Sequence, residues 1–232
     1  MNIAEAKVLI TGGSSGIGYE TARLLKSQGA SVVICGTHEA TIQRAATELG
    51  VFGYRADVSQ EPDVDGLFAF ALHQLGGLNV LVNNAGIGRF SPLVETSVAE
   101  FQRLWEVNVK GAFLVGKRAA AHFIRQNTGN IINIGSTASL RGYASGSAYV
   151  ATKFALAGLT ECWRAELRPH QVRVMQINPS EVITDFSAKA DFPVTNPERK
   201  LRASEIAHVI QAMLAMQDVG FITDASVWAT NP

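Results

Sequence analysis

The sequence predicts a doubly wound α/β fold, in which helices cover both faces of a mostly parallel sheet of about seven strands. Two observations carry this prediction. From Lys7 onward, short β-branched runs alternate with longer helical patterns. The chain has 232 residues, of which 47% are hydrophobic, and this is enough for one large core. We therefore expect residues 1–232 to form a single domain.

The first strand, turn and helix are the most regular part of the pattern. Residues 8–11 form an apolar strand, residues 12–18 a glycine-rich turn, and residues 19–28 a helix. Such a turn can hold a pyrophosphate, because glycines allow positive φ and the helix N-terminus offers unpaired N–H groups. The spacing Gly12-x-x-x-Gly16-x-Gly18 differs from the familiar G-x-G-x-x-G, and an ordinary tight turn is the alternative.

The later elements continue the same alternation. Further strands are expected at residues 31–35, 51–56, 79–82, 130–134, 172–177 and 221–228. Helices are expected at residues 39–49, 62–75, 148–167 and 203–216, and residues 98–125 form either one long helix or two joined ones. Residues 185–202 are expected to be mobile, because Phe192-Pro193 and Asn196-Pro197 interrupt a polar stretch.

Composition argues against several classes of partner. Lys plus Arg is 20 and Asp plus Glu is 20, so the net charge of zero disfavours nucleic acid and anionic membranes. The sequence has neither a signal-peptide pattern nor a membrane-length apolar run, which predicts a cytoplasmic protein. Its five histidines are scattered, so no metal is expected. Cys35 and Cys162 stand in apolar contexts and are expected to be buried.

The end of the second strand bears on cofactor choice. Dinucleotide folds that prefer NAD place an acidic residue there, which binds the ribose 2′-hydroxyl. Here the residues are Cys35-Gly36-Thr37-His38, with no carboxylate. NADP is therefore the preferred cofactor, and NAD remains possible. No Arg or Lys stands ready to clamp a 2′-phosphate, so Ser14, Ser15, Thr37 and His38 would supply hydrogen bonds.

Two further strand ends carry polar residues. Asp57-Val58 follows the third strand and Asn83-Asn84-Ala85-Gly86 follows the fourth. Open parallel sheets bind ligands at these carboxyl ends. Structural alternatives exist for both segments: Asp57 could cap the next turn, and the Asn83 segment could be a turn that uses left-handed φ.

Tyr149 and Lys153 are four residues apart in a predicted helix and so lie on one face. A nearby cation stabilises a phenolate and lowers the pKa of the phenol, which is otherwise near 10. Such a tyrosine can exchange protons with a carbonyl or alcohol oxygen. The alternative is an exposed helical pair with no chemical role.

Taken together, these motifs resemble the short-chain dehydrogenase/reductase family, of the classical type, over nearly the whole chain. The residues that carry the resemblance are Thr11, Gly12, Gly16, Gly18, Asp57, Asn83 to Gly86, Asn108, Ser136, Tyr149 and Lys153. The resemblance implies a Rossmann-type NAD(P)-binding domain, a homodimer or homotetramer, and an oxidoreductase acting on a small-molecule carbonyl or secondary alcohol.

The resemblance also implies a role for each residue. Tyr149 would donate or accept the proton, Lys153 would lower the pKa of Tyr149 and bind the nicotinamide ribose, and Ser136 would stabilise the substrate oxygen. Asn108 would hold a water of a proton relay. By residue type alone, Ser139 or Ser147 would serve as well as Ser136. The implied cofactor-binding residues are Gly12, Ser14, Ser15, Gly16, Ile17, Gly18, Thr37, His38, Asp57, Val58, Asn84, Ala85, Gly86, Tyr149, Lys153, Pro179, Val182 and Thr184.

One residue departs from the family pattern. Ser180 stands where the family commonly has a glycine, and a serine would strain the loop if positive φ is needed there. The substrate pocket is expected to involve residues 87–91, 140–143 and 185–202. Within these ranges Arg89, Arg141 and Lys189 either bind an anionic substrate or are solvated surface charges.

Two further alternatives stay open at the level of sequence. The chain could be a non-catalytic dinucleotide-binding sensor or scaffold, although such a protein has no need of the tyrosine and lysine pair. The family implies that helices 98–125 and 148–167 form the main subunit interface. Phe101, Trp105, Phe113 and Trp163 could belong to that interface or to the core.

Overall fold

The computed structural model describes residues 1–190 and 195–231. The strands are β1 (Lys7–Thr11), β2 (Ser31–Gly36), β3 (Phe52–Arg55), β4 (Val80–Asn83), β5 (Gly129–Ile134), β6 (Val172–Pro179), β7 (Val182–Ile183), β8 (Leu201–Arg202) and β9 (Asp224–Val227). The helices are α1 (Gly16–Ser27), α2 (Glu39–Leu49), α3 (Glu61–Leu75), α4 (Val98–Trp105), α5 (Ala112–Gln126), α6 (Ser147–Leu167), α7 (Asp185–Lys189) and α8 (Ala203–Ala215).

Within the described residues, seven strands form one sheet in the order β3-β2-β1-β4-β5-β6-β9. Every neighbouring pair in this sheet is parallel. The strand order reverses between β1 and β4, which is the position where sheets of this kind leave a crevice at the strand carboxyl ends. The predicted doubly wound α/β fold is confirmed.

The inner part of the sheet is buried on both faces, because β1, β2 and β4 are apolar at nearly every position. Val8 and Ile10 of β1 pack into one core cluster with residues of α1, α2 and α8. Leu9, between them, points to the opposite face and packs with residues of α3, α5 and α6. Continuous β-branched runs are typical of parallel strands covered on both faces, and here they explain the alternation of strand and helix.

The first helix begins earlier than the sequence predicts. It starts at Gly16, so the last glycines of the turn belong to its first turn, whereas the apolar pattern placed the start at Tyr19. Glycine has a low helix propensity and no side chain, so the hydrophobic periodicity does not include these residues in the predicted helix. As a result, the N-terminus of α1 lies directly against the glycine-rich turn.

The long helical stretch is continuous but not uniform. A π-helical turn, Glu106–Gly111, joins α4 to α5, so the stretch is two α-helices connected without a loop. Asn108 lies in this turn and is 2% exposed. π-Helical turns of this kind are often found at functional sites.

The region expected to be mobile contains regular structure where it is described. Residues Asp185–Lys189 form α7, and β8 pairs in parallel with β7 to make a small second sheet. A 3₁₀ turn, Pro197–Arg199, precedes β8. Phe192 and Pro193 lie outside the described residues. Short elements of two to five residues carry too little hydrophobic period to be recognised in a sequence.

The prediction for the two cysteines is half right. Cys35 is buried in β2, but Cys162 is exposed. Its neighbour Trp163 lies on the buried face of α6, and successive helix positions point in different directions, so Cys162 faces outward. The described residues include no helix long and apolar enough to cross a membrane, and no cluster of three metal-binding side chains.

A hydrogen-bonded clamp joins β1 to β4 where both strands end. The Thr11 hydroxyl accepts hydrogen bonds from the backbone N–H groups of Asn84, at 3.0 Å, and Ala85, at 2.9 Å. In return, the Asn84 side-chain amide donates to the carbonyls of Thr11 and Gly12, at 2.9 and 3.0 Å. The clamp thus fixes the glycine-rich turn relative to the segment after β4.

We expect Thr11→Val to destabilise the protein by about 2–3 kcal/mol, because the variant leaves two backbone N–H groups without their acceptor. Urea denaturation measures the effect. Thr21→Val is the matched control: it removes a hydroxyl equally buried, but one that bonds only to a carbonyl of its own helix, Ile17, at 2.7 Å. Equal losses in the two variants would contradict the clamp.

Candidate active site

A cavity of about 990 Å³ opens along the carboxyl edge of the sheet. It is lined by the glycine-rich turn, by the ends of β2, β4, β5 and β6, and by side chains of α6. A cavity of this size suits a large organic ligand. Of the predicted site residues it brings together Gly12, Ser14, Ser15, Gly16, Ile17, Thr37, His38, Asp57, Val58, Asn84, Ala85, Gly86, Ser136, Tyr149, Lys153, Pro179, Val182 and Thr184.

The glycine-rich turn has the geometry that an anion requires. Gly12 and Gly16 adopt left-handed φ values of 66° and 57°. Gly18 does not line the cavity but lies behind the turn, where a Cβ would come within 2.4 Å of the Gly12 carbonyl oxygen. Ser15 precedes α1 without a side-chain capping bond, so the first N–H groups of the helix are available to a phosphate. These residues fit a pyrophosphate.

The end of β2 faces the same cavity. Thr37 and His38 line it together with Ser14 and Ser15, and no carboxylate lies in the segment Gly36 to His38. Gly36 has room for a side chain, since a Cβ there would lie 3.6 Å from the Ser14 hydroxyl oxygen. A side chain introduced at Gly36 would therefore begin next to the Ser14 hydroxyl.

Asp57 has both a structural and a lining role. Its Oδ1 accepts hydrogen bonds from the backbone N–H and the hydroxyl of Ser59, at 2.9 and 2.7 Å, so the capping alternative holds as well. Arg103 lies 3.7 Å from Oδ2. Burial pushes the pKa of Asp57 upward, but the Ser59 hydrogen bonds and the charge of Arg103 outweigh it, and the pKa is lowered.

The segment after β4 is ordered by its side chains and not by unusual backbone angles. None of residues 83–86, all described, has a positive φ, so the left-handed turn proposed as an alternative is wrong. Asn83 donates to the Ala112 carbonyl at 3.0 Å and to Oδ1 of Asn133 at 3.2 Å. Together with the clamp at Asn84, these two hydrogen bonds fix the segment after β4 that lines the cavity.

Tyr149 and Lys153 are buried side by side on α6, at 8% and 7% exposure, so the exposed-pair alternative is wrong. The Lys153 Nζ donates to the Ile134 carbonyl at 2.8 Å, at the end of β5. It lies 5.7 Å from the centre of the Tyr149 ring. One helix face thus brings the phenol and the ammonium to the carboxyl end of β5.

Burial shifts the pKa values of both side chains of this pair. Burial lowers the pKa of Lys153 to about 8. Burial also raises the pKa of Tyr149, Tyr143 adds to the increase, and the nearby Ser136 hydroxyl opposes it. Desolvation dominates the pKa of Tyr149, and the Lys153 ammonium donates to the Ile134 carbonyl. The lowering of the Tyr149 pKa by Lys153 stays a prediction.

Of the three candidate serines, the structure places only Ser136 in the cavity. Ser139 is buried nearby, and its hydroxyl accepts the N–H of Ser136 at 3.2 Å. Ser147, at the start of α6, is exposed. The Ser136 hydroxyl lies close enough to Tyr149 to lower the pKa of that phenol. The two hydroxyls can therefore meet the same ligand oxygen.

Asn108 lies behind the cavity and does not line it. Its Oδ1 accepts the N–H of Ile87 at 2.8 Å, and its Nδ2 donates to the Ile87 carbonyl at 2.9 Å. Nδ2 also donates to the Thr152 hydroxyl at 3.1 Å. The amide therefore ties the segment after β4 to α6, one residue away from Lys153.

Ser180 causes no backbone strain. It is not among the residues with positive φ, and its N–H donates to the Val227 carbonyl at 2.8 Å in an extended loop. The concern over the missing glycine is therefore removed. Further along, Thr184 packs against the glycine-rich turn, since a Cβ on Gly16 would lie 3.1 Å from its methyl group.

Sequence reasoning missed three lining residues that carry charge or an aromatic ring: Arg103, Glu181 and Trp228. Trp228 immediately follows β9, so the rule that ligands bind at strand carboxyl ends could have found it. Arg103 and Glu181 carry no comparable signal, because single charged residues in a helix or a loop look like solvated surface charges.

The chain is similar to known proteins over most of its length. A family model described as short chain dehydrogenase matches residues 6–192. The cis-4-hydroxycyclohexanecarboxylate dehydrogenase of Sinomonas cyclohexanicum is 35% identical over 234 residues, which cover 96% of this chain and 94% of that protein.

Two solved structures illustrate the likeness in three dimensions. The 3-ketoacyl-(acyl-carrier-protein) reductase from Brucella melitensis complexed with NADH has a TM-score of 0.90 and 29% identity, with 96% of each chain covered. The closed form of serine dehydrogenase complexed with NADP+ has a TM-score of 0.88 and 26% identity, covering 95% of this chain and 93% of that one.

The buried ammonium predicts a pH dependence of stability. The unfolded chain binds a proton at Lys153 up to a pKa of 10.5, whereas the folded chain releases it at about 8. Between these values the unfolded state holds more protons, so stability rises with pH. From about pH 7.5 to about pH 9.5 the gain is about 2 kcal/mol. Urea denaturation of nucleotide-free protein measures it. Lys153→Met should lack this increment, and parallel pH profiles for the two proteins would contradict the buried charge.

Proposed function

Because this chain belongs to the short-chain dehydrogenase family, we propose that it is an NADPH-dependent carbonyl reductase, or in reverse a secondary alcohol dehydrogenase. The family relation makes it an NAD(P)-dependent oxidoreductase acting on alcohol or carbonyl groups of small molecules. The finer proposal has one main support: the side chains of Tyr149, Ser136 and Lys153 line the same cavity as the glycine-rich turn. Residues 1–232 would act as one NAD(P)-binding domain.

The chain itself supplies the proton for the reaction. A bound nicotinamide supplies hydride to a carbonyl carbon, and the oxygen then needs one proton to become a hydroxyl. Burial raises the pKa of Tyr149, so the phenol is protonated at neutral pH and is ready to donate. Ser136 donates a second hydrogen bond to the same oxygen and stabilises its developing charge.

In this proposal Lys153 and Asn108 support the proton transfer by Tyr149. Lys153 is near its pKa at mildly alkaline pH, so it can bind the nicotinamide ribose and pass a proton onward. The Asn108 side-chain amide is hydrogen-bonded to Ile87 and Thr152, and it positions the part of α6 that carries Lys153. A relay water at Asn108, which the family resemblance implies, remains part of the proposal.

NADP preference rests on charge at the end of β2. Asp57 and Glu181, the carboxylates of the described cavity wall, each have a cationic partner, Arg103 and Lys200. No carboxylate follows Gly36 to repel a 2′-phosphate or to bind the ribose diol. The neighbours include complexes with NADH and with NADP+, so the family does not decide the choice.

We further propose that the protein is a homodimer or homotetramer. Phe101 and Trp105 of α4 and Phe113 of α5 are 42%, 41% and 42% exposed, which is high for large apolar side chains. Trp163 of α6, in contrast, is 9% exposed and belongs to the core. Association through α4 and α5 would cover the exposed rings.

Tyr149→Phe should lower ketone reduction by about a hundredfold or more, because the variant lacks the proton donor. NADPH binding, followed by fluorescence, should change by no more than a few-fold. Tyr54→Phe is the control. Tyr54 of β3 packs on Phe70 of α3 and does not line the cavity. If both wild type and Tyr149→Phe bind NADPH but reduce no carbonyl compound, the protein is a dinucleotide-binding sensor or scaffold.

Gly36→Asp should shift cofactor preference toward NADH by about tenfold, because it introduces the carboxylate that binds a 2′-hydroxyl and repels a 2′-phosphate. Gly36 has room for the side chain and lacks a positive φ. The ratio of NADPH to NADH dissociation constants measures the shift, and Gly36→Asn controls for volume. A wild-type preference for NADH would contradict the NADP proposal.

A further inference from the structure

Aromatic rings surround the Tyr149 end of the cavity. The Phe90 ring lies 5.2 Å from that of Tyr149, edge to face, and the Phe186 ring lies 5.8 Å from it. Tyr143 lies 6.3 Å from Phe90. All four rings line the cavity. The atoms next to a substrate carbonyl placed at Tyr149 would therefore meet apolar surface.

The charges of the cavity wall single out one residue beyond these rings. Asp57 lies 3.7 Å from Arg103, and Glu181 lies 2.6 Å from Lys200, so each carboxylate has a cation. Arg141 also lines the cavity, and no carboxylate of residues 1–190 or 195–231 forms an ion pair with it. The outer part of the cavity therefore carries an uncompensated positive charge.

Trp228 holds the Arg141 guanidinium in place. The guanidinium carbon lies 5.0 Å from the centre of the Trp228 ring. Arg141 comes from the segment between β5 and α6, whereas Trp228 directly follows β9, so the contact joins two sides of the cavity mouth. Stacking on a ring face leaves the N–H donors at the edge of the guanidinium available to a carboxylate.

We propose that Arg141 binds a carboxylate of the substrate and so selects keto acids, or the matching hydroxy acids, with an apolar body between the two groups. The inference rests on the reductase function proposed above. The carbonyl lies at Tyr149, the body lies among the rings of Phe90, Tyr143 and Phe186, and the carboxylate reaches Arg141. Trp228 is the positioning residue, because it touches the guanidinium and not the substrate.

The test compares acids with their neutral esters. Levulinate and its longer keto-acid homologues are assayed against their methyl esters, with NADPH, for wild type, Arg141→Gln and Arg141→Lys. Arg141→Gln should raise KM for the best keto acid about tenfold or more, with kcat little changed, and should leave the esters within about twofold. Arg141→Lys should recover part of the loss, because it keeps the positive charge but lacks the paired N–H donors of the guanidinium.

Two further variants separate recognition from general effects. Arg125→Gln removes the same charge from the last turn of α5, at the opposite edge of the sheet, and should leave the ratio of acid to ester unchanged. Trp228→Leu should lower the preference for acids in the same sense as Arg141→Gln, through KM and not kcat. Rising salt should weaken the preference in wild type.

Distinct results overturn the two proposals. If wild type reduces the esters but shows no preference for any acid, or if Arg141→Gln impairs acids and esters equally, the role of Arg141 is wrong and the reductase proposal stands. If wild type reduces neither acids nor esters nor any other carbonyl compound, the reductase proposal fails and the inference fails with it.

Discussion

The site depends on the burial of one ammonium group. Lys153 gives up its hydration and donates one hydrogen bond to the Ile134 carbonyl, and this burial lowers its pKa to about 8. A buried lysine without a carboxylate is costly for stability, and its position at the end of β5 suits a ligand that can use the charge. Asn108 ties Thr152, the residue before Lys153, to the segment after β4, and so fixes α6 beside the cavity.

The cavity separates two kinds of recognition. At one end, backbone N–H groups and small residues of the glycine-rich turn fit a pyrophosphate, and their placement comes from β1 and α1. At the other end, Tyr149 and Ser136 face a wall of aromatic rings, with Arg141 and Trp228 at the mouth. The first end is built where β1 leads into α1. At the second end, Phe90, Arg141 and Trp228 come from connecting segments, which are where specificity varies among proteins that share a fold.

Sequence reasoning predicts the parts that depend on period and backbone geometry. The strand β1, the glycines with left-handed φ and the helical spacing of Tyr149 and Lys153 all follow from local rules. Three features do not follow. The pKa of Tyr149 depends on desolvation by the whole fold. The backbone at Ser180 is unstrained and donates to Val227 in the last strand. The stacking of Trp228 on Arg141 joins residues that are far apart in sequence. Each requires tertiary contacts that no local pattern contains.

The central claim is that one cavity brings a hydride carrier and a carbonyl substrate to the same phenol. Deuterium transfer tests it most directly. NADPH carrying deuterium at the reactive position is incubated with the protein and a panel of keto acids and ketones, and the alcohol products are analysed by mass spectrometry. The account predicts an alcohol with one deuterium on the carbinol carbon. Cofactor that binds but transfers no deuterium to any member of the panel would contradict it.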